Sequence, residues 1–350
     1  MVLEDVEKFD YDLPEELIRK KGIEPRDSAR LFVYNTKTDT ITFDTFRNLA
    51  KYLPKESLLV LNETKVLPAR LWLKKETGGK IEVFVLTNQL EDGENISVLV
   101  DRKTLPGQKL FFPNGDFFDV VSQDENVFFV KVQSKENLSL FELLEQYGTT
   151  PLPHYLEGEE TPESELRKRY QTVFAKEGTS VAAPTASLHF TEPVFALLRE
   201  KGIETASLTL NVGLGTFAPL QEKNFTIGKL HKEQVIISEE TATKIQLAKI
   251  ENRSIVAVGT TVTRTLESLA QKGALQAFTG TTDIFLFPPY QFQVVDCLIT
   301  NFHLPKSSLM LLVEAFLQDK GAKQDIVSLY ERAKTEGFSF YSFGDSMLIL

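Results

Sequence analysis

Residues 69–132 are the stretch that most limits what this chain can become. Short runs rich in branched and aromatic side chains, at 70–74, 80–86, 96–100, 109–112, 117–121 and 127–132, are parted by Gly78-Gly79, Asp92-Gly93, Pro106-Gly107 and Asn114-Gly115. Evenly spaced short strands with such turns predict a small antiparallel barrel or sandwich. Asn114-Gly115 reads as a type I′ hairpin turn, since both residues tolerate positive φ. A unit of this kind closes on itself, so the chain on either side of it must build a separate core.

The flanks have another texture. Asp12-Leu13-Pro14-Glu15 predicts a helix that runs through Leu17 and Ile18 and stops at Gly22, with Asp as cap and Pro just inside. Strands are expected at 29–34, 40–43 and 58–62. Beyond residue 140, helix and strand patterns mix. Thr191-Glu192-Pro193 starts a helix with Val194, Leu197 and Leu198 on one face, ending at Gly202. A strand at 204–212, a helix at 238–247, a buried strand at 254–258 and a helix at 262–270, striped by Val262, Leu266 and Leu269, follow. Residues 282–312 read as an apolar hairpin of strands broken by a loop and followed by an apolar helix. The expected fold is α/β, a mixed sheet with flanking helices built from 1–68 and 150–350, with an inserted small antiparallel β-barrel domain at 69–149. A chain of 350 residues is long for one core, which fits two domains.

Composition narrows the classes. Hydrophobic content of 42% and charged content of 25% are ordinary for a soluble globular protein. The lone Cys297 allows no internal disulfide, which suits a reducing cytoplasm. Met1 is followed by an acidic stretch, which does not read as a signal peptide. No apolar run reaches the roughly 18 residues of a membrane span. Four histidines and one cysteine make a dedicated zinc site an unfavoured expectation. The formal net charge of −10 argues against a partner held mainly through phosphates unless a local basic patch acts against the average. Arg19-Lys20-Lys21, Lys74-Lys75 with Lys80, Arg102-Lys103 and Arg167-Lys168-Arg169 are the candidates, and each taken alone reads more plainly as a solvated face.

Four loops carry the chemistry. Asn301-Phe302-His303-Leu304-Pro305-Lys306-Ser307 sets an amide, an imidazole, an ammonium and a hydroxyl between an apolar strand and an apolar helix, as binding loops on rigid elements do. Strand, Gly259-Thr260-Thr261 and helix with Arg264 make an anion site, or simply a capped helix. The glycine-rich loop at 212–219 permits close approach of a ligand or only a turn, and its spacing is wrong for a dinucleotide fingerprint. Pro184-Thr185 and His189 lie in a small-residue loop leading to a helix, and a lone His is more often structural. The segment from Asn62 through Lys65 to Arg70 leaves a buried strand for the barrel and suits either a cleft wall or a linker. No GxSxG, Walker, HExxH or CxxC motif is present.

Taken in order, these segments resemble the S-adenosylmethionine:tRNA ribosyltransferase-isomerase (QueA) family of queuosine biosynthesis. The resemblance runs from Phe9-Asp10-Tyr11-Asp12-Leu13-Pro14 and Pro25-Arg26-Asp27-Ser28-Ala29-Arg30, through residues 61–71, Arg169-Tyr170-Gln171-Thr172-Val173-Phe174, 182–190, the Gly213 loop, 257–268 and 282–312, to Phe343-Gly344-Asp345. It implies transfer and isomerisation of the ribosyl moiety of S-adenosylmethionine onto 7-aminomethyl-7-deazaguanine at the wobble position of a tRNA with a GUN anticodon. Epoxyqueuosine forms and adenine and methionine leave. S-adenosylmethionine is the co-substrate, no metal is implied, and the expected protein is a cytoplasmic monomer.

By the same resemblance, His189, His303, Asp296, His231 and Glu233 are candidates for proton transfer. Gly259, Thr260, Thr261 and Arg264 would hold the methionine carboxylate or a tRNA phosphate, Gly213, Gly215 and Thr216 would admit the nucleoside, and Asp283 and Tyr290 would contact a base. Asn62, Lys65, Arg70, Pro184, Thr185, Asn301, Lys306 and Ser307 complete the expected substrate site. The chain departs from the family pattern. Ser187 stands for Gly, Asn211 for His and Lys65 for Arg; Gly228-Lys229-Leu230-His231-Lys232-Glu233 replaces His-x-Met-His-Ser-Glu; His154 interrupts Pro-Leu-Pro-Pro-Tyr. Losing imidazoles removes groups that titrate near neutrality. The alternatives are therefore a paralogue acting on another nucleoside or small molecule, and a non-catalytic RNA- or nucleoside-binding relative.

Overall fold

The computed structural model describes residues 1–89, 95–156, 161–213, 219–273 and 275–350. Four parallel strands form the centre of a nine-stranded sheet: β10 (Glu204–Asn211), β3 (Leu58–Asn62), β12 (Ile255–Val258) and β14 (Cys297–Asn301). Their residues alternate between two cores. In β3, Leu58 and Val60 pack on one side and Leu59 and Leu61 on the other; Ile255 and Ala257 of β12 oppose Val256 and Val258 in the same way. Both faces are covered, so these strands are near-continuous apolar runs. The helices α5 (Glu239–Ile250), α6 (Thr260–Gln271), α7 (Ser308–Asp319) and α8 (Ile326–Thr335) supply the first core, and α3 (Glu192–Glu200) contributes to the second.

Strands added on either side complete the sheet. Beyond β10 come β11 (Lys229–Ile237) and β13 (Phe278–Ile284); beyond β14 come β15 (Ser346–Ile349), β1 (Arg30–Asn35) and β2 (Thr40–Thr45). These pair antiparallel, except that β1 and β15 run parallel to each other. The barrel closes in the order β4 (Arg70–Lys75), β5 (Lys80–Val85), β6 (Ile96–Val100), β9 (Val127–Gln133), β8 (Phe117–Asp124), β7 (Lys109–Phe111). Leu71, Leu73, Ile81, Val83, Val98, Phe118 and Val130 fill it, and α1 (Leu140–Tyr147) packs Leu143 and Leu144 against them. Burying each such side chain contributes roughly 1.5–3 kcal/mol. The chain enters and leaves the barrel side by side: Arg70 and Thr149 exchange backbone hydrogen bonds of 2.7 and 3.3 Å. A Cβ on Gly148 would stand 1.9 Å from the Pro68 carbonyl oxygen, so only glycine fits this crossing.

Three local expectations are corrected. The segment after Asp12 is no helix. It is one tight turn, Glu15–Leu17, because Ile18 is drawn into a bridge with Phe340 and the Leu17 carbonyl accepts from Phe340 N at 2.8 Å. Asn114-Gly115 does not form a type I′ turn: Gly115 N closes on Phe112 O at 3.0 Å across Pro113 and Asn114, and in that turn only Gly115, at φ 88°, takes positive φ. Residues 282–312 are not a hairpin either, since β13 lies at a sheet edge and β14 pairs with β12 and β15. The apolar residues between them, including Phe285, Leu286, Val294 and Val295, cross under the sheet, held by the buried Glu267 carboxylate, which accepts from the backbone N–H groups of Gln293, Val294 and Val295 at 2.8–3.0 Å.

Candidate active site

The four parallel strands end side by side at Asn211, Asn62, Val258 and Asn301. The sheet's order reverses at β3: β10 follows it on one side, and β12 and β14 are added on the other. Such a switch leaves a crevice outside the carboxyl ends of the strands, where ligands bind in open α/β sheets. A cleft of about 920 Å³, its open mouth included, lies there, a size that takes a small molecule.

One wall is the start of α6. Gly259 caps it with φ 90° and no side chain, so the N–H groups of the first turn stay open beside Thr260 and Thr261. The helix dipole adds partial positive charge there, which favours an anion. Asn62 sits behind this wall. Its Nδ2 donates to Leu210 O at 3.0 Å and to Thr261 Oγ1 at 3.4 Å, and its Oδ1 accepts from Leu210 N, so it braces β3, β10 and α6 together.

The opposite wall is the end of β14 and the loop after it. Thr185 Oγ1 donates to Asn301 Oδ1 at 2.9 Å, which fixes the amide plane. Asn301 is 3% exposed, and its Nδ2 has no acceptor among the described residues. A buried donor without a partner costs about 1–3 kcal/mol, so this amide is set to meet an acceptor brought by a ligand. His303 lines the same wall. Its Nε2 and Thr300 Oγ1 lie 2.8 Å apart, and its backbone is held by the Tyr330 and Tyr11 hydroxyls. Packing against the ring disfavours the charged form and pushes its pKa down to about 3, so the imidazole is neutral at pH 7. Tyr155, Tyr341 and Ser342 close the mouth. Ser342 N donates to Tyr155 Oη at 3.2 Å, the two tyrosine rings are 5.0 Å apart, and Tyr341 is held at φ 70°, a costly conformation for a bulky residue.

Of the expected site residues, Pro184, Thr185, Gly259, Thr260, Thr261, Asn301, His303 and Ser307 line this cleft. The others are placed differently. Arg264 is not free for a carboxylate and Glu233 is not a free base. They form a buried ion pair, 3% and 2% exposed, with Arg264 Nε also donating to Ile284 O at 3.3 Å and Glu233 accepting from Gly213 N at 3.3 Å. Asp296 sits at the amino end of β14, accepting from Ile255 N at 2.8 Å, about 16 Å of strand away from Asn301. His231 is exposed on β11. His189 lies behind the mouth in a separate hollow with Arg26, Arg169 and Ser342, its ring 5.2 Å from Phe46; burial pushes its pKa down to about 4. Lys306 is engaged by Asp10 and Glu7 at 2.9 and 3.2 Å, and Lys65 faces Glu145 at 3.9 Å. Arg70 reaches Glu82 and Leu152 O, Asp283 pairs with Lys229 at 2.9 Å, and Tyr290 donates to Glu267 at 3.2 Å. Gly215 and Thr216 lie outside the described residues. Asn211 is bound by Thr64 Oγ1 at 2.6 Å and donates to Gln234 Oε1 at 2.8 Å, so an amide pair fills this end of β10. Tyr155, Thr300, Tyr341 and Ser342 also line the cleft, and nothing in the sequence marks them for it, Tyr341's strained backbone least of all. Among the described residues no group of three His, Cys, Asp or Glu side chains is placed to hold a metal ion.

Fold and cleft together define a class: a mixed α/β sheet protein with a barrel inserted in its chain and a small-molecule crevice at the sheet's switch point. A family model described as queuosine biosynthesis protein matches residues 6–349. Proteins named S-adenosylmethionine:tRNA ribosyltransferase-isomerase are similar over nearly the whole chain. Those of Sulfurihydrogenibium sp. and Carboxydothermus hydrogenoformans are 45% and 43% identical, each alignment covering 98% of both chains, and that of Aquifex aeolicus is 44% identical over 99% of both. The crystal structure of S-adenosylmethionine tRNA ribosyltransferase from Thermotoga maritima aligns with a TM-score of 0.55 at 32% identity, covering 98% of this chain and all of that one. The chain belongs to the queuosine biosynthesis protein family.

Proposed function

We propose that the protein is an S-adenosylmethionine:tRNA ribosyltransferase-isomerase. It moves the ribosyl moiety of S-adenosylmethionine onto 7-aminomethyl-7-deazaguanine at the wobble position of a GUN-anticodon tRNA, isomerises it to epoxyqueuosine and releases adenine and methionine. The observation that carries this reading is the family match along residues 6–349, shared with relatives of that name. The cleft supports it. The open first turn of α6 at Gly259, Thr260 and Thr261 suits the methionine carboxylate, and the Asn301 amide offers donors to a carbonyl or ring nitrogen. The cationic sulfonium of the co-substrate acidifies the carbon beside it. We assign that proton to His303, the imidazole that lines the cleft and is kept neutral by burial. Asp296, His231, Glu233 and His189 are assigned no part in proton transfer. The protein acts in the cytoplasm as a monomer and without a metal ion, so EDTA leaves turnover unchanged. Residues 1–68 and 150–350 form the catalytic domain and 69–149 the inserted one.

The test mixes the protein with S-adenosylmethionine and tRNA carrying the precursor base. Adenine release that requires the tRNA is the expected result. Release without RNA would point to a paralogue working on a free nucleoside, and no release would overturn an enzymatic reading. Full ribosyl transfer by His303→Ala would remove His303 as the base.

A further inference from the structure

The barrel's outer surface holds a second feature that the cleft chemistry leaves unused. On β4 and β5, Trp72 and Lys74 point outward beside Lys80, while Leu71, Leu73 and Ile81 fill the interior. Lys74 is directly opposite Lys80 on one side and Phe111 of β7 on the other, and Phe111 is opposite Phe117 of β8. One row of side chains, Lys80–Lys74–Phe111–Phe117, therefore crosses four neighbouring strands. The chain's lone Trp, Trp72, is 43% exposed, with the Lys80 ammonium 4.2 Å from its ring centre. Lys109 lies 4.8 Å over Phe117, and the Phe111 and Phe117 rings are 5.4 Å apart.

This arrangement is unfavourable for the protein by itself. Like charges directly opposite on a sheet repel, and neither Lys74 nor Lys80 has a carboxylate partner among the described residues. Glu82, opposite Trp72, is turned to Arg70 at 3.5 Å, and Asp119 lies between Lys109 and Lys131. Aromatic faces interleaved with lysines on a barrel are the composition that receives a nucleic acid strand: bases stack on the rings and phosphates meet the ammonium groups.

We propose that the Trp72–Lys74–Lys80–Phe111–Phe117 face is a second binding surface for the tRNA, gripping nucleotides that flank the target base. The proposal rests on the tRNA reading above. Its test is binding of GUN-anticodon tRNA carrying the precursor base, by fluorescence anisotropy at several salt concentrations, with S-adenosylmethionine binding and the thermal midpoint followed in parallel. Trp72→Ala is expected to weaken tRNA binding about tenfold or more, and Trp72→Phe to restore most of it, because a stacking surface returns. Lys74→Ala with Lys80→Ala is expected to lower the slope of log affinity against log salt by about 1.4, near 0.7 for each single-strand phosphate that is no longer neutralised. S-adenosylmethionine binding and the midpoint stay unchanged in all three. Wild-type affinity and slope in these variants, with the unaltered protein still binding tRNA, overturn this inference and leave the proposed function standing. Absence of tRNA binding by the unaltered protein overturns both.

Discussion

Two buried groups in this molecule lack something ordinary, and each predicts a measurable response. Asn301 has an amide nitrogen without an acceptor, aimed by Thr185. Asn301→Ala removes the donor, so S-adenosylmethionine binding measured by calorimetry should weaken about 5- to 150-fold, the equivalent of one buried hydrogen bond of about 1–3 kcal/mol. Unchanged affinity would show that the amide faces no part of the co-substrate. His189 is 4% exposed with a pKa near 4, below the 6.5 of the unfolded chain. Between those values the unfolded chain binds a proton that the folded one refuses. The stability is therefore complete above pH 6.5 and is lost as pH falls toward 4. At pH 5 the deficit is roughly 2 kcal/mol. His189→Gln should lose that much less than the unaltered protein between pH 7.5 and pH 5, read from urea midpoints; parallel pH curves would assign the acid sensitivity to other groups.

Among the elements, the packing of β11 with α6 rests on a buried pair of opposite charges, Glu233 and Arg264. Removing one partner leaves the other uncompensated in the core, so Glu233→Ala should destabilise by about 3–5 kcal/mol in urea unfolding, while replacing both by methionine should recover most of it. Equal loss in the single and double variants would mean that packing, not charge, holds the two elements. This pair was invisible in the sequence, because Arg264 is drawn to a carboxylate on a strand far from it in the chain, and the helix start nearby made it look like a ligand group. The barrel strands were legible because their outward and inward residues alternate between turn residues. β11 and β13 were not, because Lys229, His231 and Lys232 in one and three threonines and a glycine in the other carry no apolar pattern. The loops at 259–261 and 301–307 were legible as candidate cleft material because small and polar residues follow directly on buried strands. Asp296 read wrongly because position along an apolar strand does not tell which end of the sheet it occupies.

At the scale of the whole molecule, two kinds of chain closure coexist. The barrel is made from consecutive residues, whose entry and exit meet at Arg70 and Thr149. Deleting 70–148 and joining the ends with a short glycine linker should therefore leave a folded sheet that still binds S-adenosylmethionine but holds tRNA markedly more weakly. Loss of S-adenosylmethionine binding in a folded deletion variant would show that the barrel shapes the cleft itself. The large sheet, by contrast, is made from the two ends of the chain: β1–β2, β10–β11 and β14–β15 join neighbours in sequence, and its other pairings join strands that are not consecutive.

The position of β15 between β14 and β1 has a consequence for how the protein comes into being on the ribosome. The barrel's strands are all available before half the chain has been made. β1, synthesised among the first, waits with one edge open until Ser346–Ile349 emerge. For most of its synthesis the nascent protein carries a finished small unit beside a half-built sheet with exposed hydrogen-bonding edges, the kind that pairs with other chains. Stopping translation after Gly344 should yield a product that collects in the insoluble fraction, and adding the missing strand as a separate peptide during refolding should bring part of it back into solution. The last strand is the piece that makes the first one safe.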